Sequence, residues 1–122
     1  MNVEQVVNQL KHNYPNRKII RVPEGNPTEI ICETSPGNGI AIAVIDRSAL
    51  HRHERIKESY IVLQGDLRVI VNGEETLLRK NDTFEILPGK IHYAIGNETW
   101  VKVTSSPPWS ISDHILDGKG EA

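Results

Sequence analysis

Residues 50–65, LHRHERIKESYIVLQG, carry the strongest structural signal in the sequence. His51 and His53 are separated by one residue, and Glu58 follows five residues after His53. Side chains alternate between the two faces of a strand, so the two histidines point to the same side. The polar segment ERIK predicts a turn, and a strand that starts at Glu58 can lie beside the histidine pair, which brings the carboxylate near both imidazoles.

A third histidine, His92, follows the Pro88-Gly89 turn pair in ILPGKIHYAIGN. This turn predicts a strand that runs back across the sheet. Each of these residues alone also fits an ordinary role, in a solvated charged loop or as a strand histidine. Three imidazoles and one carboxylate that converge would bind one divalent transition metal ion per chain, Fe, Mn, Ni, Co, Zn or Cu. Water, substrate or dioxygen would take the remaining positions of an octahedral ion.

The chain after Pro15 predicts many short strands. Asn72-Gly73 predicts a two-residue hairpin, because both central positions of a type I′ turn need positive φ. Close spacing of short strands favours an antiparallel sandwich or barrel, an all-β fold. The segments rich in β-branched or aromatic residues are RKIIRV, TEIICE, GIAIAVID, ESYIVLQ, LRVIV, ETLLR, TFEIL, IHYAI and WVKVTS.

The first residues predict one short amphipathic helix. Val3, Val6, Val7 and Leu10 follow helical spacing, and Pro15 ends the pattern, so the helix should run from Val3 to about residue 13. The 122 residues predict one domain with three parts. These parts are the helical segment 1–15, a barrel over 16–106 and a C-terminal tail over 107–122.

Composition narrows the range of partners. A net charge of −2 gives no reason to expect nucleic acid or an anionic membrane. The first residues do not match the pattern of a signal peptide, no apolar stretch is long enough to cross a bilayer, and a single cysteine fits a reducing compartment, so we expect a cytoplasmic protein. Segments such as GIAIAVI are apolar on both faces. A short helix can cover only a little of such a sheet, which predicts a homodimer.

The two histidine-containing motifs together resemble the cupin superfamily, in particular its small single-domain members. Its first motif has two histidines one residue apart, a glutamate after three or four residues and a glycine after six more, as from His51 to Gly65. The second has a Pro-Gly turn and a histidine after two residues, as at His92. The chain departs from the family pattern at turn positions Ile45, Leu87 and Asn97.

This resemblance implies a double-stranded β-helix, or jelly-roll barrel, with the short helix at its N-terminus. It also implies the metal ligands, which would be His51, His53, Glu58 and His92. Cupins with this ligand set include dioxygenases, decarboxylases and sugar-phosphate isomerases, and others have no known catalysis.

The sequence favours a metal-dependent enzyme, dioxygenase-like, that acts on a small polar metabolite. The alternatives are a non-catalytic metal-anchored binding protein and a sugar isomerase similar to mannose-6-phosphate isomerases. Isomerase ranks below oxygen chemistry, because no second carboxylate or lysine is clearly placed for proton transfer.

Two residues are candidates for contacts with a ligand. On a regular strand from Glu58, Tyr60 and Gln64 share the inward face and can hydrogen-bond a small molecule. Core packing of Tyr60 and an exposed strand end at Gln64 are the alternatives. Trp109 follows Pro107-Pro108 and needs a burial site, either across the barrel mouth or on a partner subunit. His114 is not expected to be a ligand, since four are already available.

Overall fold

The computed structural model describes residues 1–109 and 113–116. Helix α1 spans Val3–Asn13, as the sequence predicts, and the side chain of Asn2 caps it by accepting a hydrogen bond from the backbone N–H of Gln5. One 3₁₀ turn covers Pro36–Asn38. The strands are β1 (Lys18–Val22), β2 (Glu29–Ser35), β3 (Ile40–Arg47), β4 (His51–Arg52), β5 (Lys57–Gln64), β6 (Leu67–Val71), β7 (Glu74–Leu78), β8 (Thr83–Ile86), β9 (His92–Ser106) and β10 (Ile115–Leu116).

All strand pairs in the described residues are antiparallel and join into one curled sheet. Strands β1, β2, β3 and β9 lie side by side in that order, and β5 pairs with both β9 and β8. Strands β4 and β6 also pair with β9, which makes β9 the strand shared by both halves of the barrel. The β6–β7 hairpin turns at Asn72 and Gly73, whose φ angles of 50° and 83° confirm the predicted turn.

The sequence predicts two strands where the structure has the single 15-residue strand β9. The chain bends between the two predicted segments, and the strand continues through the bend. Glu98 has a φ of +47°, and its N–H donates to Asp46 Oδ1 at 2.7 Å. A Cβ at Gly96 would lie 2.7 Å from the carbonyl oxygen of Ile45, so only glycine fits this close approach. The bend lets one strand pair with β6 on one side of the barrel and with β5 on the other.

Helix α1 covers more of the sheet than the sequence analysis expected. Val6, Val7 and Leu10 are buried against the outer faces of β2 and β3. The outward side chains that they cover are Ile30, Cys32, Ile42 and Val44. The two-sided apolar pattern of β3 is therefore satisfied within one chain.

The inward side chains form a second apolar cluster inside the barrel. Ala43 and Ile45 of β3, Val62 of β5 and Ala94 of β9 belong to it. This cluster lies on the same face as the side chains of the candidate site. Among the described residues, no helix has the length and apolarity needed to cross a membrane.

Candidate metal centre

The structure brings together the four side chains on which the sequence analysis concentrated. His51, His53, Glu58 and His92 are all buried, and each offers one ligand atom to a group whose members lie within 4.8 Å of one another. His51 belongs to β4 and pairs with His92 on β9, so backbone pairing places these two imidazoles side by side. Their ring centroids are 4.2 Å apart.

Each of the three imidazoles uses its Nδ1 atom for a bond to the backbone. Nδ1 of His51 lies 2.6 Å from the carbonyl oxygen of Ala49, and Nδ1 of His92 lies 2.9 Å from that of Lys90. Nδ1 of His53 lies 2.7 Å from the carbonyl oxygen of Asp113. A carbonyl oxygen can only accept, so Nδ1 carries the proton in all three rings. The lone pair on each Nε2 is thereby left for a metal ion.

Glu58 reaches the histidines from another part of the barrel. The sequence analysis expected its strand to lie beside the histidine pair, but β5 pairs with β8 and β9 and not with β4. Oε1 of Glu58 lies 3.0 Å from Nε2 of His92 and 3.5 Å from Nε2 of His53. The curl of the sheet, rather than direct strand pairing, therefore brings the carboxylate to the imidazoles.

The spacing of these atoms suits one shared metal ion. Two ligand atoms, each about 2.1 Å from an ion, lie roughly 3 Å apart when adjacent and roughly 4.2 Å apart when opposite. The two distances from Glu58, 3.0 and 3.5 Å, are close to the adjacent value. Nε2 of His53 is also buried without a hydrogen-bond partner in the described part of the chain. A metal ion would satisfy it.

The protonation states of His51 and Glu58 favour metal binding. Burial, with a smaller contribution from the neighbouring His92, lowers the pKa of His51 to about 3, so this imidazole is neutral at pH 7. Burial tends to raise the pKa of Glu58, but the neighbouring imidazoles of His53 and His92 hold it well below its usual range. The site therefore offers a neutral imidazole and an ionised carboxylate, which are the forms that bind a cation.

The loop between His53 and Glu58 is held by a residue from the C-terminal tail. The buried carboxylate of Asp113 accepts hydrogen bonds from the backbone N–H groups of Glu54, Arg55 and Ile56 at 3.0–3.3 Å. These bonds lower the pKa of Asp113 despite the opposing effect of burial. Sequence reasoning missed this contact, because Asp113 lies 57–59 residues from its partners.

Sequence reasoning also missed a second inward carboxylate, that of Glu29. This residue pairs with Ile45, which belongs to the interior cluster, and directly opposed residues share one face of a sheet. Ile31, two residues further along β2, packs against the same cluster. The side chain is half-buried. Burial and the charge of Glu58 raise the pKa of Glu29 to about 8. A carboxyl group therefore lies inside the barrel, within electrostatic reach of the metal centre.

The two candidate ligand-contact residues end in different environments. Tyr60 is buried in the interior cluster, and burial together with the charges of Glu58 and Glu29 raises the pKa of its hydroxyl group well above 10. Gln64 is exposed and lines a surface groove against helix α1 that has no lining residue in common with the metal centre. A register shift between Val62 and Gln64 interrupts the alternation that predicted an inward side chain.

The described part of the tail returns to the site. Trp109 stays 41% exposed, and its ring centroid lies 5.6 Å from that of His114. His114 is not part of the group of four that can share an ion. Residues 110–112 and 117–122, which the sequence analysis assigned to the same tail, lie outside the described residues.

Comparison with protein families finds one match. The model of the cupin domain matches residues 41–104, just over half of the chain, and includes all four side chains of the candidate centre. No curated protein matches the sequence.

Solved structures share the fold at low sequence identity. The nucleoside dehydratase Pac13 from Streptomyces has a TM-score of 0.69 and 14% identity, over 84% of this chain and 88% of that chain. KdgF from Halomonas has a TM-score of 0.62 and 19% identity, over 78% and 91%. An RmlC-like cupin from Shewanella frigidimarina has a TM-score of 0.62 and 17% identity, over 80% and 88%. At these identities the likeness concerns the fold alone.

Replacement of two histidines should remove the metal without unfolding the barrel. In the double variant His53→Ala/His92→Ala, we expect stoichiometric metal to be lost, because removing two ligands costs more affinity than the ~10–100-fold typical of an outer partner. Elemental analysis of purified protein measures occupancy, and circular dichroism checks the fold. His12→Ala, on the exposed side of α1, is the matched control. Full occupancy in the double variant would refute the site.

The position of Glu29 predicts a pH effect on stability. Its pKa is about 8 in the folded chain against an ordinary value of 4.5, so between these values the folded chain keeps a proton that the unfolded chain has released. The free energy of unfolding should fall as pH rises through this range, by at most about 1.4 kcal/mol per pH unit. Water screens the charge on this half-buried side chain, which makes the decrease smaller.

Glu29→Gln removes this contribution, so the variant should gain stability over the parent chain as pH rises from about 5 to about 8. Urea unfolding at several pH values measures the difference. Glu24→Gln, in the exposed loop before β2, should show no such trend. A pH-independent difference for the Glu29 variant would mean that this carboxyl group is not buried in the barrel.

Proposed function

The chain belongs to the cupin family, and we propose that it is a metal-dependent enzyme that acts on a small polar metabolite. The main support is the convergence of four buried ligand atoms within 4.8 Å, from β4, the loop that follows it, β5 and β9. Three Nε2 atoms and one carboxylate would hold one divalent transition metal ion. Four protein ligands leave two positions of an octahedral ion for a substrate.

The metal would supply Lewis-acid polarisation of a substrate oxygen. The chain's own residues account for the rest of the chemistry. The backbone carbonyl groups of Ala49, Lys90 and Asp113 hold the three imidazoles in one tautomer. The interior cluster around Ala94 keeps water away from the site, which strengthens electrostatic interactions there.

We propose proton transfer as the reaction type that this interior favours. From the sequence, isomerase chemistry ranked below oxygen chemistry because no second carboxylate or lysine was clearly placed for proton transfer. Glu29 would supply that carboxylate. In its ionised form, Glu29 would accept the proton from the C–H bond beside a substrate carbonyl, while the bonding electrons move toward the carbonyl oxygen. Its carboxylic acid would then return the proton to the former carbonyl carbon, while the hydroxyl proton of the first carbon passes to the former carbonyl oxygen and leaves a carbonyl group at the first carbon. A pKa of about 8 suits a group that must both take and return a proton near neutral pH.

Tyr60 would assist as a neutral hydrogen-bond donor. Burial raises the pKa of its hydroxyl group well above 10, so this group stays protonated at neutral pH. A protonated hydroxyl group can donate to a substrate oxygen on which negative charge develops. Small sugars and other hydroxycarbonyl compounds have both the C–H group and the oxygen that these two residues require.

Oxygen chemistry is the second candidate. Its support is the ligand set itself, because three imidazoles and one carboxylate suit iron and leave room for both a substrate and dioxygen. A non-catalytic binding protein would use the same site to hold a small molecule without turnover.

The cytoplasmic location and the homodimer stay predictions. The cover of β3 by helix α1 removes part of the reason for expecting a dimer.

One panel experiment separates the three functions. Protein loaded with Fe²⁺, Mn²⁺ or Zn²⁺ is incubated with hydroxycarbonyl compounds, including sugar phosphates, in D₂O. We expect deuterium to enter the carbon beside the carbonyl group, which mass spectrometry detects. Oxygen uptake by the iron-loaded protein without this exchange would favour a dioxygenase. Tight binding with neither result would favour the binding protein.

Replacement of Glu29 tests the proton-transfer step directly. Glu29→Gln keeps the shape of the side chain but cannot accept the proton, so the exchange rate should fall by about 10²–10⁴-fold. Metal content should not change, because Glu29 is outside the group of four. Glu24→Gln is again the control. Exchange at the parental rate in the Glu29 variant would exclude this residue as the base.

A further inference from the structure

A segment of the tail is anchored on both sides of His114. Before it, Asp113 binds the 54–56 loop through its carboxylate and His53 Nδ1 through its carbonyl oxygen. After it, Ile115 and Leu116 form strand β10, which pairs with Arg52 and His51 of β4. Because residues on both sides are fixed to the metal-ligand segment, the backbone position of His114 is fixed there too.

The imidazole of His114 packs against the candidate metal ligands. Its ring centroid lies 4.6 Å from that of His51, at an interplanar angle of 31°, and 5.5 Å from that of His53. Trp109 contacts it from another side, with centroids 5.6 Å apart. His114 therefore adds a fourth imidazole to the wall of the site, contributed by a part of the chain outside both sequence motifs.

This fourth imidazole has an unsatisfied polar atom. Nδ1 of His114 is buried and has no hydrogen-bond partner among residues 1–109 and 113–116. Leaving a buried nitrogen without a partner is unfavourable, so such groups in native proteins usually bind water or a ligand. An imidazole nitrogen in this position can form a hydrogen bond with a polar ligand.

We propose that His114 is a ligand-binding residue of this site, whose imidazole hydrogen-bonds a small polar molecule held on the open side of the metal. A role as a fifth metal ligand is less consistent with the geometry, since His114 is outside the group whose ligand atoms all lie within 4.8 Å. The inference rests on the proposed metal site but not on any particular reaction. It assigns to the C-terminal tail a direct part in binding.

The test uses Co²⁺-loaded protein and azide, a small anion that takes an open position on cobalt and changes its visible absorption spectrum. Two variants separate hydrogen bonding from packing. His114→Phe keeps an aromatic ring against His51 and Trp109 but has no nitrogen. His114→Asn loses the ring but places an amide group near the position of Nδ1. His12→Ala is the surface control.

We expect His114→Phe to raise the Kd for azide by about tenfold, the loss of one hydrogen bond to a charged group. His114→Asn should bind azide within about threefold of the parent, and cobalt affinity should stay within about threefold in both variants. Parental azide affinity in His114→Phe would overturn the proposal in favour of simple packing. A drop in cobalt affinity of about 30-fold or more would overturn it in favour of a fifth metal ligand.

The same titrations distinguish this proposal from the metal site on which it rests. Cobalt binding that is lost in His53→Ala/His92→Ala supports the metal site whatever the result at His114. Failure of the parent chain to bind cobalt would contradict both proposals. Circular dichroism of each variant confirms that an altered affinity does not reflect unfolding.

Discussion

Three backbone carbonyl groups hold the imidazoles of His51, His53 and His92 through their Nδ1 atoms, and the chemistry of the site depends on these bonds. Each bond selects the tautomer whose Nε2 lone pair is free and also fixes the ring orientation. The carbonyl groups belong to Ala49, Lys90 and Asp113, so a loop before β4, a turn before β9 and the C-terminal tail all contribute. The centre is thus a property of the whole chain path and not of the four side chains alone.

The barrel makes this arrangement possible through one bent strand. Strand β9 begins with His92 beside β4 and continues past Gly96 to pair with β5, which carries Glu58. A straight strand would keep these two partners in the same layer. The bend, stabilised by the hydrogen bond from Glu98 N–H to Asp46, lets the sheet close so that Glu58 faces the histidines from across the interior. Fold and site are therefore linked at a position that carries no catalytic side chain.

The cupin fold hosts many reactions, so family membership alone does not select one. The similar solved structures share too little sequence with this chain to transfer an activity. Residues around the centre are more informative. Glu29 places a carboxyl group inside the barrel, Tyr60 adds a protonated hydroxyl group, and His114 adds an imidazole from the tail. These three groups differ in chemistry, and each places a polar group near Glu58 or the histidines of the candidate metal centre.

Much of the local structure was predictable from short patterns. The helix Val3–Asn13, the Asn72-Gly73 hairpin and the spacing of His51, His53, Glu58 and His92 all depend on residues close in sequence, or on a motif whose order is preserved. Predictions from local patterns were wrong at two places in the chain. A bulge after Val62 turned Gln64 to the surface, and a bend joined two predicted strands into β9.

The sequence by itself determined the types and the spacing of the candidate metal ligands, because alternation along a strand and turn chemistry are local properties of the chain. Only the tertiary structure decided which face of β2 points inward. Ile30 and Cys32 pack outward against helix α1, so Glu29 faces the interior, although an apolar–polar pattern alone would suggest the reverse. The contacts of Asp113 and His114 were equally hidden. They join residues about 60 positions apart, and such pairs follow from how the sheet curls and where the tail returns.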